Sequence, residues 1–355
     1  MALCYYITGH GYGHAVRTTQ ILKALPRDLP LILKTTAPER LFREELPGRD
    51  FHFIHSEYDC GCLQSDSVTV LQRETLMRYG QIAAQNAARL QEEVAFLQEH
   101  QVCCVASDVP PFPLYSASVA RIPSVAIANF TWHDIYTEYV QTAQDTELLA
   151  QMAREYSSAT VACITPLNVP TVADVFPNAD FVPLVVRQGS SVRSALMAAL
   201  NIPAGKNLAL LYLGNWGLDV HWHALERLQD WVFLIDQPLA QPVSNLVSFD
   251  PAQWRYSDVA ASLDAVVSKA GYGTLTECIA NSVPLIYLPR QGFIEHESLV
   301  LGMTKWGGGI EIPEADFFAG DWEAALTASL AARPDSSVYA TSGAEVIASI
   351  IMRYC

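Results

Sequence analysis

A strand, a turn with two glycines and a helix start follow one another in the segment Asp264-Ala-Val-Val-Ser-Lys269-Ala-Gly-Tyr-Gly-Thr274-Leu-Thr-Glu277. Its apolar start is typical of a buried strand in a parallel sheet. The glycines let the chain turn sharply, and the free amides at the following helix start attract an anion. The segment therefore predicts an α/β unit with an anion site at a strand end, and that site suits a diphosphate.

The polar groups of this turn are the first candidate binding residues. We expect the amides around Gly271, Gly273 and Thr274 to hold the diphosphate, with the positive charge of Lys269 beside them. Glu277 lies one turn into the helix, where its carboxylate can reach a ribose hydroxyl. The alternative is an ordinary strand, loop and helix in which Glu277 forms a capping box after Thr274.

Short apolar runs alternate with amphipathic ones along the rest of the chain. The short runs are rich in branched and aromatic residues, as buried strands are, and they cover residues 3–8, 31–35, 51–55, 102–107, 124–128, 208–213, 231–235, 265–268 and 285–288. Helical spacing is clearest over residues 74–101 and recurs near 220–229, 274–281, 295–304 and 343–353. This order predicts the α/β class, with two Rossmann-like domains whose parallel sheets face each other across a cleft.

Prolines mark the boundary between the two series of strands. Four of them interrupt the region 165–187, which suits an interdomain connection. We predict a first domain over residues 1–166, a linker over 167–187 and a second domain over 188–340. A C-terminal helix over 341–355 follows, and we expect it to pack on the first domain.

The first strand runs into another glycine-rich turn, Gly9-His-Gly-Tyr-Gly-His14. Glycines at alternate positions, Gly11 and Gly13 among them, bring amides to a helix start, where we expect them to bind phosphate. The spacing differs from the dinucleotide motif G-x-G-x-x-G, because the third glycine comes one residue too early. Strand two also ends in Lys34-Thr-Thr36 and not in a ribose-binding acid. Both differences argue against a nicotinamide or flavin cofactor.

Two histidines of this turn, His10 and His14, follow the strand at the end where open α/β sheets bind their ligands. An imidazole titrates near neutral pH and can take a proton from a hydroxyl group. We predict His14 as this base and Asp108, at the end of the fourth strand, as the carboxylate that orients it. Alternatively, the histidines hydrogen-bond the loop to neighbouring turns, and Asp108 caps a helix or turn.

These motifs resemble those of the GT-B glycosyltransferase superfamily. A resemblance over nearly the whole chain is to the N-terminal, glycosyltransferase-like part of L-arabinokinases and its stand-alone bacterial relatives. Besides the two glycine-rich turns, it rests on Asp59-Cys-Gly-Cys-Leu-Gln64-Ser-Asp66, Ser107-Asp108-Val-Pro, Asn129-Phe-Thr-Trp132-His-Asp134-Ile-Tyr136 and Val182-Pro-Leu-Val-Val-Arg187. The kinase half of L-arabinokinases has no counterpart in these 355 residues. We therefore expect no kinase activity.

The resemblance adds residues to the donor site: Gly214, Asn215, Tyr272, Arg290, Glu295, His296 and Glu297. The pair at 214 and 215 falls where such enzymes bring a second loop to the phosphates. Residues 295–297 fall where they contact the donor sugar, and the alternative for them is a solvated acidic helix start. The resemblance also implies that the loop 59–66 and Trp132 line the acceptor side, although an aromatic here is often core packing.

Composition and charge limit the class of ligand. Half of the 355 residues are hydrophobic and 17% are charged, which suits two globular domains and argues against disorder. Acidic residues outnumber basic ones by 37 to 22, so the formal charge is −15 and binding to nucleic acid or an anionic membrane is disfavoured. Eight scattered cysteines suit buried free thiols. Without a signal peptide or an apolar run of about 18 residues, we expect a soluble, cytoplasmic protein.

The leading hypothesis is transfer of a sugar from a nucleotide-diphosphate sugar, most simply a UDP-sugar, to a hydroxyl group of a small acceptor. No strand ends in the paired aspartates of metal-dependent transferases, so we expect neither an obligatory metal nor a cofactor beyond the donor. Two alternatives stay open. One is a nucleotide-sugar epimerase or hydrolase of the same fold. The other is a non-catalytic nucleotide-sugar-binding partner of a sugar kinase.

Overall fold

The computed structural model describes residues 1–64, 70–212, 220–236, 242–289 and 294–355. Within these ranges the chain divides into two compact units. The first unit comprises residues 1–186, 294–298 and 340–355, and the second comprises the described residues of 187–289 and 299–339.

A parallel sheet of seven strands forms the centre of the first unit, in the order β3-β2-β1-β4-β5-β6-β7. Its strands are β1 (Ala2–Ile7), β2 (Leu31–Thr35), β3 (His52–His55), β4 (Val102–Asp108), β5 (Ser124–Ala128), β6 (Val161–Ile164) and β7 (Ala179–Phe181). The strand order reverses between β1 and β4, and their last residues, Ile7 and Asp108, are register partners. Open α/β sheets bind their ligands beside such a reversal.

The second unit has a parallel sheet of six strands in its described part, in the order β10-β9-β8-β11-β12-β13. The strands are β8 (Asn207–Tyr212), β9 (Trp231–Ile235), β10 (Leu246–Ser248), β11 (Ala265–Lys269), β12 (Leu285–Leu288) and β13 (Gly309–Glu311). Here the order reverses between β8 and β11. The predicted turn at residues 269–274 therefore follows a central strand of this sheet.

Helices connect the strands in both units, as parallel pairing requires. They are α1 (Tyr12–Ala24), α2 (Glu39–Glu45), α3 (Gln72–Ala88), α4 (Leu90–Glu99), α5 (Phe112–Ala120), α6 (Trp132–Thr137), α7 (Ala143–Tyr156), α8 (Arg193–Ala199), α9 (Tyr256–Ala260), α10 (Tyr272–Asn281), α11 (Ile294–Trp306), α12 (Glu314–Ala319), α13 (Glu323–Ala331) and α14 (Gly343–Met352), with 3₁₀ turns at Trp222–Arg227 and Ser336–Val338. None of the helices in the described ranges is long and apolar enough to cross a bilayer.

Three local predictions differ from the structure. The helix expected over 74–101 is two helices, α3 and α4, because the backbone turns at Arg89, whose guanidinium lies over the Tyr58 ring at 4.2 Å. The helix expected near 220–229 is a short 3₁₀ turn. Residues 167–186 of the expected linker group with the first unit, since β7 pairs with β6 at the edge of its sheet.

The C-terminal segment belongs to the core of the first unit. Ile347 and Ile351 of α14 are fully buried in one apolar cluster with Ile21 and Leu22 of α1. A Cβ atom at Gly343 would lie 2.2 Å from the Pro183 carbonyl oxygen, so the close approach at the start of α14 requires glycine. The structure also pairs two of the cysteines, most of which were expected to be free thiols in apolar runs. Cys103 in β4 and Cys355 form a disulfide, a pairing that residues 252 positions apart do not reveal in a sequence.

We expect Ile347→Ala to lower the free energy of unfolding of the first unit by about 2–5 kcal/mol, because the truncation leaves a cavity among fully buried side chains. Ser349→Ala, on the exposed side of the same helix, should change it by less than about 0.5 kcal/mol. Scanning calorimetry of both variants measures this difference. Equal melting temperatures would show that α14 does not stabilise the unit.

Candidate active site

Several predicted functional residues of the first unit lie at one edge of its sheet. Because β1, β4 and β5 are parallel, the residues that follow them meet at their carboxyl ends. Asp108 ends β4, Asn129 follows β5, and the turn after β1 leads into α1. Gly11 caps the N-terminus of α1 with a φ of 76°, a left-handed conformation that favours glycine. Gly11 and Gly13 are both exposed.

His14 and Asp108 form a pair at this edge. The His14 Nδ1 atom lies 2.9 Å from Asp108 Oδ1, and the Asp108 side chain is fully buried. The same Nδ1 atom lies 3.2 Å from Arg17 Nη2. Because the shorter contact is to a carboxylate, which can only accept hydrogen bonds, it favours the tautomer with the proton on Nδ1 and with Nε2 as the acceptor. The His14 side chain is 13% exposed, and its ring packs edge-on against Phe130. The arrangement is that of a histidine base with an orienting carboxylate.

Arg17 lies one turn after His14 in α1, and its positive charge neutralises Asp108. Its Nε atom donates to Asp108 Oδ2 at 2.9 Å, and its Nη2 atom donates to Oδ1 at 2.5 Å. Burial by itself would raise the pKa of Asp108, but the charge of Arg17 and the contact with His14 outweigh it and lower the pKa. Asp108 is therefore a carboxylate at neutral pH. Arg17 has no role among the residues predicted from the sequence, although its spacing of three from His14 places both on one face of α1.

Asn129 extends this cluster to Glu295. Arg17 Nη1 donates to Asn129 Oδ1 at 2.7 Å, and Asn129 Nδ2 donates to Glu295 Oε1 at 2.6 Å. Glu295 and His296 are half-buried and Glu297 is exposed, all in the first turn of α11. This turn groups with the first unit, where Ile294 packs on an apolar cluster around Trp132. Residues predicted to contact a donor sugar thus lie on the unit that holds His14.

Asp59 is a second buried carboxyl group near His14. Thr8 Oγ1 donates to its Oδ1 at 2.7 Å, and Trp132 Nε1 donates to its Oδ2 at 2.8 Å. Burial raises the pKa of Asp59 to about 6, although both hydrogen bonds and His14 oppose the rise. His10 packs edge-on against Trp132, with ring centroids 5.5 Å apart. Trp132 is fully buried, so it contributes to the core as well as holding Asp59.

The predicted diphosphate turn of the second unit follows β11. Helix α10 begins at Tyr272, two residues earlier than the pattern indicates, and Gly271 is its N-cap. In the described structure no side chain caps this helix start, so the capping box of Glu277 with Thr274 does not form. Gly271 has an extended backbone with a φ of −136°, and a Cβ atom there would meet only the Lys269 carbonyl oxygen, at 3.9 Å. Gly271, Tyr272, Gly273 and Thr274 are all partly exposed.

Glu277 lies one turn further along α10 and pairs with Arg187. The Arg187 Nε atom donates to Glu277 Oε1 at 3.0 Å, and Nη2 lies 2.9 Å from the same oxygen and 3.2 Å from Oε2. Asn281 accepts a hydrogen bond from the Gly189 amide at 3.0 Å, which ties the same helix to the residues after Arg187. A carboxylate has acceptor positions for two such donors and a hydroxyl group besides. The pairing therefore orients Glu277 and is compatible with a ribose contact.

Some predicted site residues lie outside the described part of the chain: Asp66, Gly214, Asn215 and Arg290. Their roles stay predictions. Within the described ranges, no group of three or more His, Cys, Asp or Glu side chains is arranged to hold a metal ion.

Comparison with known proteins agrees with these features. Residues 1–301 match the family model described as glycosyl transferase family 1. The chain is 30% identical over 346 residues to an L-arabinokinase of Arabidopsis thaliana, in a match that covers 94% of this chain and 32% of that protein. It is also 29% identical over 193 residues to the UDP-N-acetylglucosamine–N-acetylmuramyl-(pentapeptide) pyrophosphoryl-undecaprenol N-acetylglucosamine transferase of Clavibacter michiganensis, covering 50% of this chain and 52% of that one. The chain thus spans about a third and about half of these two relatives.

Among solved structures, UGT2 of Phytolacca americana, complexed with UDP-2fluoro-glucose and pterostilbene, is similar with a TM-score of 0.63 at 16% identity, covering 99% of this chain and 93% of that one. This likeness and the two parallel sheets define the GT-B fold, which confirms the predicted fold class. The family match over residues 1–301 then identifies the protein further: the chain belongs to glycosyl transferase family 1.

The raised pKa of Asp59 predicts a pH dependence of stability. The folded state holds this proton more tightly than the unfolded chain, in which the pKa is about 3.9. Its stabilising contribution is therefore complete below about pH 4 and is lost as the pH rises through about 6. As the pH rises across this window, the free energy of unfolding of Asp59→Asn should increase relative to that of the wild type by on the order of 2 kcal/mol. Thermal unfolding at several pH values measures this difference.

Glu155 provides the control for this measurement, because burial raises its pKa to about 7 in the same unit. Glu155→Gln should remove the loss of stability that occurs as the pH rises through about 7. The loss of stability near pH 6 that is due to Asp59 should remain. A difference between wild type and Asp59→Asn that stays constant from pH 4 to 7 would contradict the assignment.

Proposed function

We propose that this glycosyltransferase moves a sugar from a nucleotide-diphosphate sugar, with UDP as the nucleotide, to a hydroxyl group of a small acceptor, and that His14 is the base. The pair of His14 and Asp108 carries the proposal. It lies beside the β1–β4 strand reversal, with 2.9 Å between Nδ1 and Oδ1 and with Asp108 held as a carboxylate. An imidazole so oriented presents Nε2 as a proton acceptor.

The proposed donor rests on the helix start of α10 and on the names of similar proteins. The N-terminus of α10 presents amides without a side-chain cap, and Lys269 ends the strand before it. Such a site suits a diphosphate. The relative from Clavibacter michiganensis is named for UDP-N-acetylglucosamine, and the structure from Phytolacca americana holds UDP-2fluoro-glucose. Both names support a UDP-sugar as the donor.

In the proposed reaction, His14 Nε2 takes the proton of the acceptor hydroxyl group. The oxygen of that hydroxyl group attacks the anomeric carbon of the sugar at the same time. The bond from that carbon to the diphosphate breaks, and UDP leaves with the electron pair. Asp108 stabilises the imidazolium ion that forms. The amides of α10 and Lys269 take up the charge of the leaving diphosphate, so we propose that no metal is obligatory. A formal charge of −15 on the protein favours a small acceptor over a polyanion.

We expect Gly271→Val to abolish binding of UDP while the protein still folds. The backbone of Gly271 is extended and a Cβ atom has space within the protein, so the added side chain would fill the space assigned to the diphosphate. Calorimetric titration with UDP measures the change. Gly80→Ala in α3, where a Cβ atom also fits, with Leu148 at 3.8 Å, is the control and should keep the wild-type affinity. Unchanged affinity in Gly271→Val would place the donor elsewhere.

We expect His14→Ala to lower turnover by about a hundredfold or more and to leave UDP affinity nearly unchanged, because a general base acts only in the transfer step. The release of UDP from a UDP-sugar, with and without a mixture of small hydroxylated acceptors, measures turnover. His52→Ala, an exposed histidine of β3, is the control. Full activity in His14→Ala would refute its role as the base, and release that needs no acceptor would favour a hydrolase or an epimerase.

A further inference from the structure

Two buried side chains, Arg17 and Asn129, connect the His14–Asp108 pair to Glu295, and the proposed reaction uses neither of them. Arg17 is 4% exposed and Asn129 is fully buried. Arg17 binds both oxygens of Asp108, its Nη2 atom lies 3.2 Å from His14 Nδ1, and its Nη1 atom donates to Asn129 Oδ1 at 2.7 Å. Guanidinium groups only donate and carboxylates only accept, so these contacts also fix which end of the Asn129 amide faces Glu295.

The first unit contains an internal comparison for the effect of Arg17. Asp59 and Asp108 are both buried and both lie near His14, but Asp59 receives its hydrogen bonds from the uncharged groups of Thr8 and Trp132. Burial raises the pKa of Asp59 to about 6, whereas Arg17 and His14 reverse the effect of burial on Asp108. A cation beside Asp108, more than hydrogen bonding as such, therefore keeps it ionised.

From these contacts we infer that Arg17 and Asn129 are positioning residues of the transfer step. Arg17 keeps the His14–Asp108 pair in the charge state that a base needs, and Asn129 holds Glu295 toward the sugar of the donor. The inference deepens the proposed function and rests on it for the role of His14, and it takes the role of Glu295 from the family resemblance. It concerns one continuous chain of contacts, from His14 through Asp108, Arg17 and Asn129 to Glu295.

The charged and titratable groups around Asp108 come from several elements. His14 and Arg17 face it from α1, Tyr5 approaches from β1, and Asp59 acts on His14 from the loop after β3. Glu295 reaches the cluster through Asn129. Among these groups Arg17 supplies the permanent positive charge. Removing a fixed cation raises the proton affinity of the groups it faces, so the direction of the effect is determined.

We expect Arg17→Gln to make the His14–Asp108 pair hold its proton to higher pH. Nitrogen NMR of histidine-labelled protein measures this directly, with His14→Ala used to assign the ring signals, and it needs no acceptor. The acid limb of the turnover profile should move upward as well, so that turnover at pH 6 falls at least tenfold more than at pH 8.5. Arg17→Lys keeps the charge but not the two parallel bonds, so it should retain most of the wild-type titration and lose turnover.

Arg49→Gln is a matched control, because Arg49 is also a buried arginine of the first unit. Its guanidinium donates to the backbone carbonyls of Leu22, Leu25 and Pro26, which are not site residues. Arg49→Gln should lower the melting temperature without changing the titration of His14. The inference for Arg17 is overturned if Arg17→Gln behaves in the same way, with lower stability and an unchanged titration.

A charge exchange tests Asn129. Asn129→Asp keeps an acceptor for Arg17 but places a carboxylate against Glu295, so Glu295 should be repelled. The probe is the UDP-sugar that most stabilises the wild type among UDP-glucose, UDP-galactose and UDP-N-acetylglucosamine. Its affinity should fall about fivefold or more while the affinity for UDP itself stays unchanged. Glu295→Gln removes the repulsion, so adding Asn129→Asp to Glu295→Gln should lower the affinity much less than adding it to the wild type. An equal loss in both backgrounds, or an equal loss for UDP, would overturn this role.

Failure of the proposed function is distinguishable from failure of the inference. Full activity in His14→Ala would refute the hypothesis that His14 is the base, whatever the titration of Arg17→Gln shows. An unchanged titration in Arg17→Gln, together with a large loss of turnover in His14→Ala, removes the role of Arg17 and leaves the base in place.

Discussion

The ion pair of Asp108 with Arg17 is the interaction on which the candidate site of the first unit depends. A carboxylate without solvent contact is unstable unless a cation and hydrogen bonds compensate for the lost water. Arg17 meets this requirement with two parallel bonds and still has a donor for Asn129. The end of β4, the first turns of α1, the residue after β5 and the start of α11 are thereby fixed together. His14 receives its orientation from the same carboxylate.

The two units solve different chemical problems with similar sheets. In the first unit, side chains with opposite charges fix the position of His14, the proposed base. In the second unit, the backbone of a helix start provides the amides of the proposed diphosphate site, and the Arg187–Glu277 pair orients the acid beside them. Charged side chains suit a site where a proton moves, whereas a fixed set of dipoles suits a site that holds a phosphate. The proposed function would therefore account for the difference in sequence between the two glycine-rich turns.

The fold class was predictable because an alternation of short apolar and amphipathic segments has few structural solutions. The two glycine-rich turns could then be placed at the ends of predicted strands. Strands such as β2, β5, β9 and β12 coincide with the predicted runs, since each is a short apolar run that stops near a polar or turn-forming residue. Short strands at sheet edges, such as β7 and β10, lack that pattern and take their form from the neighbouring strand. The proximity of His14 and Asp108 followed from parallel strand order. The contact of Asn129 with Glu295 did not, because it joins residues 166 positions apart through packing that no local pattern records.

The packing of α14 on α1 has a consequence for the order in which the polypeptide acquires its structure during synthesis. Residues 340–355 leave the ribosome only after the entire second unit, yet they cover Ile21 and Leu22 in the first. While the ribosome is still translating the second unit, an apolar face of α1 therefore has no native cover. The first unit stays incomplete for the whole time that residues 187–339 are translated, whereas the main segments of the second unit lie within that one stretch. Chaperones that hold nascent chains would accordingly be expected to act on the N-terminal half of this protein for the longer time.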